Sequence, residues 1–419
     1  MAVNRRDFLR GGAAATAAAA LQQWRFAHAA QSDLRAAADA VLRRVVEQGD
    51  APGVVAMATT QDGPVYEGGF GERAWAQGVP MTPDTVCWIA SMTKAVTAAA
   101  AMQLVEQGKL ALDAPASRVY PPLADAQVLA GWANGAPVLR PPGTAITLRH
   151  LLTHTAGFGY EHWSADIQAY QKATGLPGIG SCRNDALRMP LLHEPGERWN
   201  YGINIDFAGK MVEAVSGKRL GDYLGENLFA PLGMDSTAFK LTPALEARRA
   251  RVHERRPDGT FKVLGFVMTQ DPEFEMGGGG LYSTCGDYLK FVRMILDGGK
   301  GNGNRVLAPE TVALMSANAM GELKVRMLAS ALPHRTVDAE FFPGMPKGWG
   351  LSFMINDEPA PTGRSAGSLA WAGLANTFYW IDPKKGVGGV YMTQVFPFVE
   401  ARSLAGYYAF EKSVYDAIG

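Results

Sequence analysis

The 419-residue chain is poor in the residues that most often carry redox, metal or polyanion chemistry. Its three cysteines, Cys87, Cys182 and Cys285, are widely spaced and odd in number, which allows one disulfide at most and excludes a disulfide-built scaffold or a Cys-x-x-Cys site. Cys87, inside an apolar run, reads as a buried small hydrophobe. The seven histidines are equally dispersed, without the short spacing and companion carboxylates of a metal centre, so neither a metal nor another cofactor is expected. Only 19% of residues are charged and the formal net charge is zero, with no basic block, which argues against a nucleic-acid partner. No apolar run is long enough for a permanent membrane anchor.

The first thirty or so residues differ in kind from the rest. Asn4-Arg5-Arg6-Asp7-Phe8-Leu9-Arg10 precedes a mildly apolar, alanine-rich run from Gly11 to Leu21, and Ala27-His28-Ala29 offers small residues at the spacing of a signal-peptidase site. This is the pattern of a twin-arginine export signal spanning residues 1–29. The mature chain, 30–419, is then periplasmic or secreted.

Within the mature chain the most telling stretch is Ser91-Met92-Thr93-Lys94. An apolar approach, Thr85 to Ala90, precedes it, and Ala95 to Gln107 follows without glycine or proline, as a buried helix would. Serine suits a helix start better than a helix interior, so Ser91 is expected at the N-terminus of this helix. Lys94, one turn on, then shares its face. A lysine can activate a serine hydroxyl only if its amine is neutral, and the apolar helix supplies the burial this requires. No other serine of the chain has a lysine three residues later.

Elsewhere, Leu34 to Gln48 has helical periodicity, and Val54 to Thr60, an Asp62-Gly63 turn and Val65 to Gly71 read as a hairpin. From Asp113 to about Arg256 the chain is rich in proline and glycine, with short helical patterns such as Ile203 to Ser216 and few convincing strands. Strand signals return at Phe378 to Ile381 and Val387 to Val395, and Ser403 to Ile418 closes the chain as a helix. Strands at both ends around a helical middle predict an α+β fold. One antiparallel sheet is built from both chain ends with flanking helices, and a mostly helical subdomain is inserted at about 111–265.

These stretches resemble the serine β-lactamase and penicillin-binding-protein superfamily, in particular its class C-like branch. Thr85 to Leu112, Leu151-Leu152-Thr153-His154-Thr155-Ala156-Gly157, and Pro195-Gly196-Glu197-Arg198-Trp199-Asn200-Tyr201-Gly202 are similar to three of its ordered motifs. The last ends in the family's catalytic tyrosine, so the resemblance implies a catalytic set of Ser91, Lys94 and Tyr201. The β-lactamases carry Tyr-x-Asn at this point, whereas this chain reads Tyr201-Gly202-Ile203, with the asparagine one place late at Asn204. The strand motif that is Lys-Thr-Gly in many members is matched by Trp371-Ala372-Gly373, as in family VIII carboxylesterases and related fungal acyltransferases. By resemblance Trp371, Ala372 and Gly373 border the substrate, and the backbone N–H groups of Ser91 and Leu374 form the oxyanion hole. His154 is implied to be structural, hydrogen-bonding loops near the site.

One competing motif is present. Gly363-Arg364-Ser365-Ala366-Gly367 has the form of an α/β-hydrolase nucleophile elbow, but it follows a proline-rich stretch, precedes a strand pattern, and has no histidine after it. Gly277 to Gly280 lacks the lysine of a phosphate loop and is better used for close backbone packing beside the site. The expected function is hydrolysis of small carboxylic esters through an acyl-enzyme on Ser91, the partner being a small-molecule ester. Alternatives within the fold are a β-lactamase or D-alanyl-D-alanine carboxypeptidase, an acyltransferase, or an amide-oligomer hydrolase. A non-catalytic penicillin-recognising protein is disfavoured by the three residues together.

Overall fold

The computed structural model describes residues 32–418; the export signal and its cleavage site lie outside them. A seven-stranded antiparallel sheet forms the frame. Its strands are β1 (Gly53–Thr60), β2 (Pro64–Gly71), β3 (Lys347–Trp349), β4 (Met354–Asn356), β5 (Leu369–Gly373), β6 (Thr377–Asp382) and β7 (Val387–Met392), in the spatial order β3-β4-β5-β6-β7-β1-β2. The two ends of the chain meet where β1 pairs with β7, as predicted from the strand signals.

Both faces of the sheet are covered, which explains why its central strands read as continuous apolar runs. Helices α1 (32–47) and α5 (Ala401–Ile418) lie on one face, and α4 (Cys285–Leu296) on the other. The period-two alternation of β7 shows this directly: a Cβ at Gly388 would meet Val292 of α4, whereas the Tyr391 ring packs near Phe410 of α5. The predicted strand Val387 to Val395 is in fact two. It breaks after Met392, and Val395–Phe396 leaves the sheet to pair in parallel with His253–Arg255.

Helix α2 (Thr93–Glu106) runs through the interior, and all its residues from Thr93 to Leu104 are buried. Its composition fits: a helix surrounded by protein has no polar face to present, and alanines allow neighbours such as α3 (Asn204–Ser216) to approach closely. The middle of the chain contains short helices, as read from the sequence, but also a hairpin of Val128–Ala133 and Ala136–Arg140. Its signal was the Asn134-Gly135 pair, both in the left-handed region (φ 52° and 77°), a preferred two-residue hairpin turn. Irregular pairing near Gly131 and the exposure of Trp132 and Val138 weaken the alternation that would have marked the strands.

The three cysteines are all free and buried, and burial pushes the Cys87 thiol up to about 12, far from a reactive thiolate. Among the described residues no helix is long and apolar enough to cross a membrane.

Candidate active site

Ser91 does not cap α2. It sits in a 3-10 turn, Ala90–Met92, immediately before the helix, and its hydroxyl makes no capping bond. Ala90 enters the turn with φ 45°, a strained conformation for a residue with a Cβ. Neighbouring backbone holds it there: Ile89 N–H donates to Leu281 O (3.0 Å), and the end of β5 lies so close that a Cβ on Gly373 would fall 2.2 Å from Ile89 O. Gly373 therefore serves the contact between strand and turn and does not line the cavity, whereas Trp371, Ala372 and Leu374 do. The N–H groups of Ser91 and Leu374 have no hydrogen-bond acceptor among the described residues.

The Lys94 amine is fully buried and donates to three oxygens: Ser91 Oγ (3.1 Å), Tyr160 Oη (3.0 Å) and Gly278 O (2.6 Å). Burial pulls its pKa down to about 7, opposed by the negative charge of Asp206. Asp206 is itself buried in α3, and burial pushes its carboxyl up, against the pull of Lys94. Its Oδ1 accepts from Gly278 N–H at 2.8 Å, so a single residue, Gly278, touches both the carboxylate and the amine. A Cβ at Gly278 would strike the Asp206 carboxylate at 2.6 Å, which gives the glycine run the packing role expected of it.

Tyr201 lines the same cavity as Ser91. Its ring lies 4.7 Å from Lys94 Nζ, and its hydroxyl accepts a 3.0 Å bond from Trp371 Nε1. Burial raises the phenol well above its ordinary pKa, so Tyr201 is a neutral phenol across the physiological range. Trp371 is thus a partner of Tyr201 as well as a wall of the cavity. His154 is buried and held neutral by desolvation; its Nδ1 meets Asn204 Nδ2 (2.9 Å), and its backbone carbonyl accepts from Asn200 N–H (2.8 Å). Asn204 is thereby turned away from the cavity. Tyr160 and Asp206 were not singled out in the sequence. Tyr160 carries no periodic signal, but a lone aspartate on the buried side of an amphipathic helix, between Ile205 and Phe207, was a detectable anomaly.

Ser365 has none of these neighbours. Its N–H donates to Asp382 Oδ2 (2.8 Å), and the adjacent Arg364 is paired with Glu411 in the core (3.0 Å). The segment is neither on the cavity nor between a strand and a helix. No group of residues suited to a metal ion occurs among the described residues.

Ser91 opens onto a cavity of about 220 Å³ walled mainly by apolar and aromatic side chains, including Trp88, Phe266, Met268, Met276, Phe396 and Phe398. An antiparallel sheet assembled from both chain ends, with a Ser-x-x-Lys turn against the end of β5, defines the class of β-lactamase-fold serine hydrolases and acyltransferases. The chain belongs to the beta-lactamase family, whose model matches residues 38–412, and residues 2–21 match the twin-arginine translocation signal. It is 35% identical over 382 residues to monacolin J acid methylbutanoyltransferase of Aspergillus terreus, covering 85% of this chain and 91% of that one. It is 31% identical to lovastatin esterase of Penicillium rubens over 374 residues, covering 84% and 91%. Among solved structures, a mutant of simvastatin synthase from Aspergillus terreus superposes with a TM-score of 0.80 at 33% identity, covering 92% of this chain and 98% of that one.

Proposed function

We propose that the protein is an exported serine esterase that forms an acyl-enzyme on Ser91 from small carboxylic esters and releases the acyl group to water. The observation that carries this reading is the desolvated Lys94 amine 3.1 Å from Ser91 Oγ at an apolar cavity. In the first half-reaction Lys94 takes the Ser91 proton as Oγ attacks the acyl carbonyl, and the Tyr201 phenol hands a proton to the departing alkoxide. Ser91 and Leu374 N–H groups receive the oxyanion, each donor worth roughly 10²–10³ in rate. Water then enters by the same path in reverse. Transfer of the acyl group to a second alcohol is the alternative favoured by the apolar, aromatic wall, which would receive an organic acceptor, and by the transferase among the relatives.

Comparison of kcat/KM for p-nitrophenyl esters of rising chain length with that for a chromogenic cephalosporin tests the reading. A short-chain ester should be the better substrate by a wide margin, because Trp371 stands in the place of a cationic anchor and Asn204 faces His154 and not the substrate. A cephalosporin turned over as fast as the best ester would overturn it. Adding an alcohol and measuring ester product against free acid separates hydrolysis from transfer.

The pH dependence follows from the Lys94–Asp206 pair. Lys94 must be neutral to accept the proton, so kcat/KM should rise with pH through an apparent value near 7 that belongs to the coupled pair. The Asp206 carboxylate favours the ammonium form, so Asp206→Asn should move the acid limb to lower pH while Asn keeps an acceptor for Gly278 N–H. A limb that stays in place or moves to higher pH would contradict the assignment of Lys94 as the base.

A further inference from the structure

We propose that Arg335 forms an anion-binding subsite in the wall of the Ser91 cavity, and that the ester or acyl acceptor handled there carries a carboxylate. This rests on the reading of the cavity as an acyl-transfer site. Arg335 lines the cavity, with its guanidinium 4.7 Å from the centre of the Phe396 ring. It makes no side-chain hydrogen bond or ion pair with any described residue. By contrast, Arg249, Arg255 and Arg364 each meet a carboxylate, from Glu246, Glu400 and Glu411 respectively. Lys94, the other basic group near the cavity, is already engaged with Ser91, Tyr160 and Gly278.

A half-buried cation that has given up water without gaining a partner is costly, and the backbone shows that Arg335 is held in this position. Its carbonyl accepts from Phe398 N–H (2.8 Å), and Val337 N–H donates to Phe398 O (3.2 Å), so the segment is laced to the strand end that carries Phe396 and Phe398. Phe396 lies beneath the guanidinium, and no described residue takes up its fork of N–H donors, the arrangement that matches a carboxylate. The surrounding charges do not neutralise it. Glu254 acts on it only from beyond ion-pair distance, and burial keeps His162 below the usual histidine range, hence uncharged. Glu161 also lines the cavity and would repel a carboxylate, which confines the anion to the side formed by Arg335 and Phe396.

The test uses two substrate series with the mature protein. In one, p-nitrophenyl half-esters of dicarboxylic acids are compared with p-nitrophenyl esters of monocarboxylic acids of matching length. In the other, acetyl esters of hydroxybenzoates are compared with those of the corresponding methyl hydroxybenzoates, which places the charge on the alcohol side. In at least one pair the charged member should be preferred in kcat/KM by about tenfold, as for a charge-assisted bidentate contact. Arg335→Gln should erase that ratio and Arg335→Lys retain part of it. Preference for the neutral member throughout, or a charged preference that survives in Arg335→Gln, would overturn the subsite. If no ester is turned over, the esterase reading fails separately. The subsite is then decided by calorimetric titration of Ser91→Ala with an aryl carboxylate and its amide. Tighter binding of the carboxylate that is lost when Arg335→Gln is added supports it, and equal binding sinks it.

Discussion

Ser91→Ala is expected to abolish both ester turnover and covalent labelling by a fluorophosphonate, with a loss on the order of 10⁴–10⁶ in kcat, as when a nucleophile is taken from a catalytic unit that works as one. The substitution removes only the hydroxyl. The turn that presents it is held by backbone contacts, Ile89 to Leu281 and the close pass of Gly373, so the fold should persist. Ser365→Ala supplies the contrast, because its environment offers no base: its N–H is tied to Asp382 and its neighbour Arg364 to Glu411. Mass spectrometry of the labelled protein should place the adduct on the peptide containing Ser91. An adduct on Ser365, persisting in Ser91→Ala, would refute the choice of nucleophile.

Tyr201→Phe is the second large effect, with an expected loss of roughly 10²–10⁴ in rate, the range for a positioned acid or base. The ring remains to pack against Trp371 and His154, so the loss should fall on kcat more than on KM. There is also a stability cost. Trp371 Nε1 loses its acceptor in a buried place, worth about 1–3 kcal/mol, and thermal denaturation should record it while circular dichroism stays native. Esters with good leaving groups should be less affected than those of alkyl alcohols, because a stable leaving anion needs no proton from the phenol. Near-normal kcat on an alkyl ester would remove Tyr201 from the mechanism.

The pairing of Ser91 with Lys94 was legible because it is local: three residues of helical turn set their distance whatever the rest of the chain does. Tyr201 was reached through the resemblance of its surrounding motif and not through any feature of spacing, and the same holds for Trp371 and Leu374. The placement of Ser91 at the start of the helix was legible, but the 3-10 form of the turn and the strain at Ala90 were not, because they depend on Leu281 and β5, which lie far away in the chain.

By itself the sequence determined the export signal, the sheet drawn from both chain ends and the Ser91–Lys94 couple, because these depend on composition, on periodicity or on neighbours within one turn. The burial of Lys94 was expected from the apolar helix, but tertiary structure alone decided that it answers to Asp206 and Tyr160, that Trp371 donates to Tyr201, and that Arg335 lines the cavity without a hydrogen-bond or ion-pair partner. The physical reason is that desolvation and through-space charge depend on what surrounds a group in three dimensions. Lys94 and Asp206 come within charge range through the packing of α2 against α3, with Tyr160 and Gly278 brought in from two other segments, and no linear pattern records those distances.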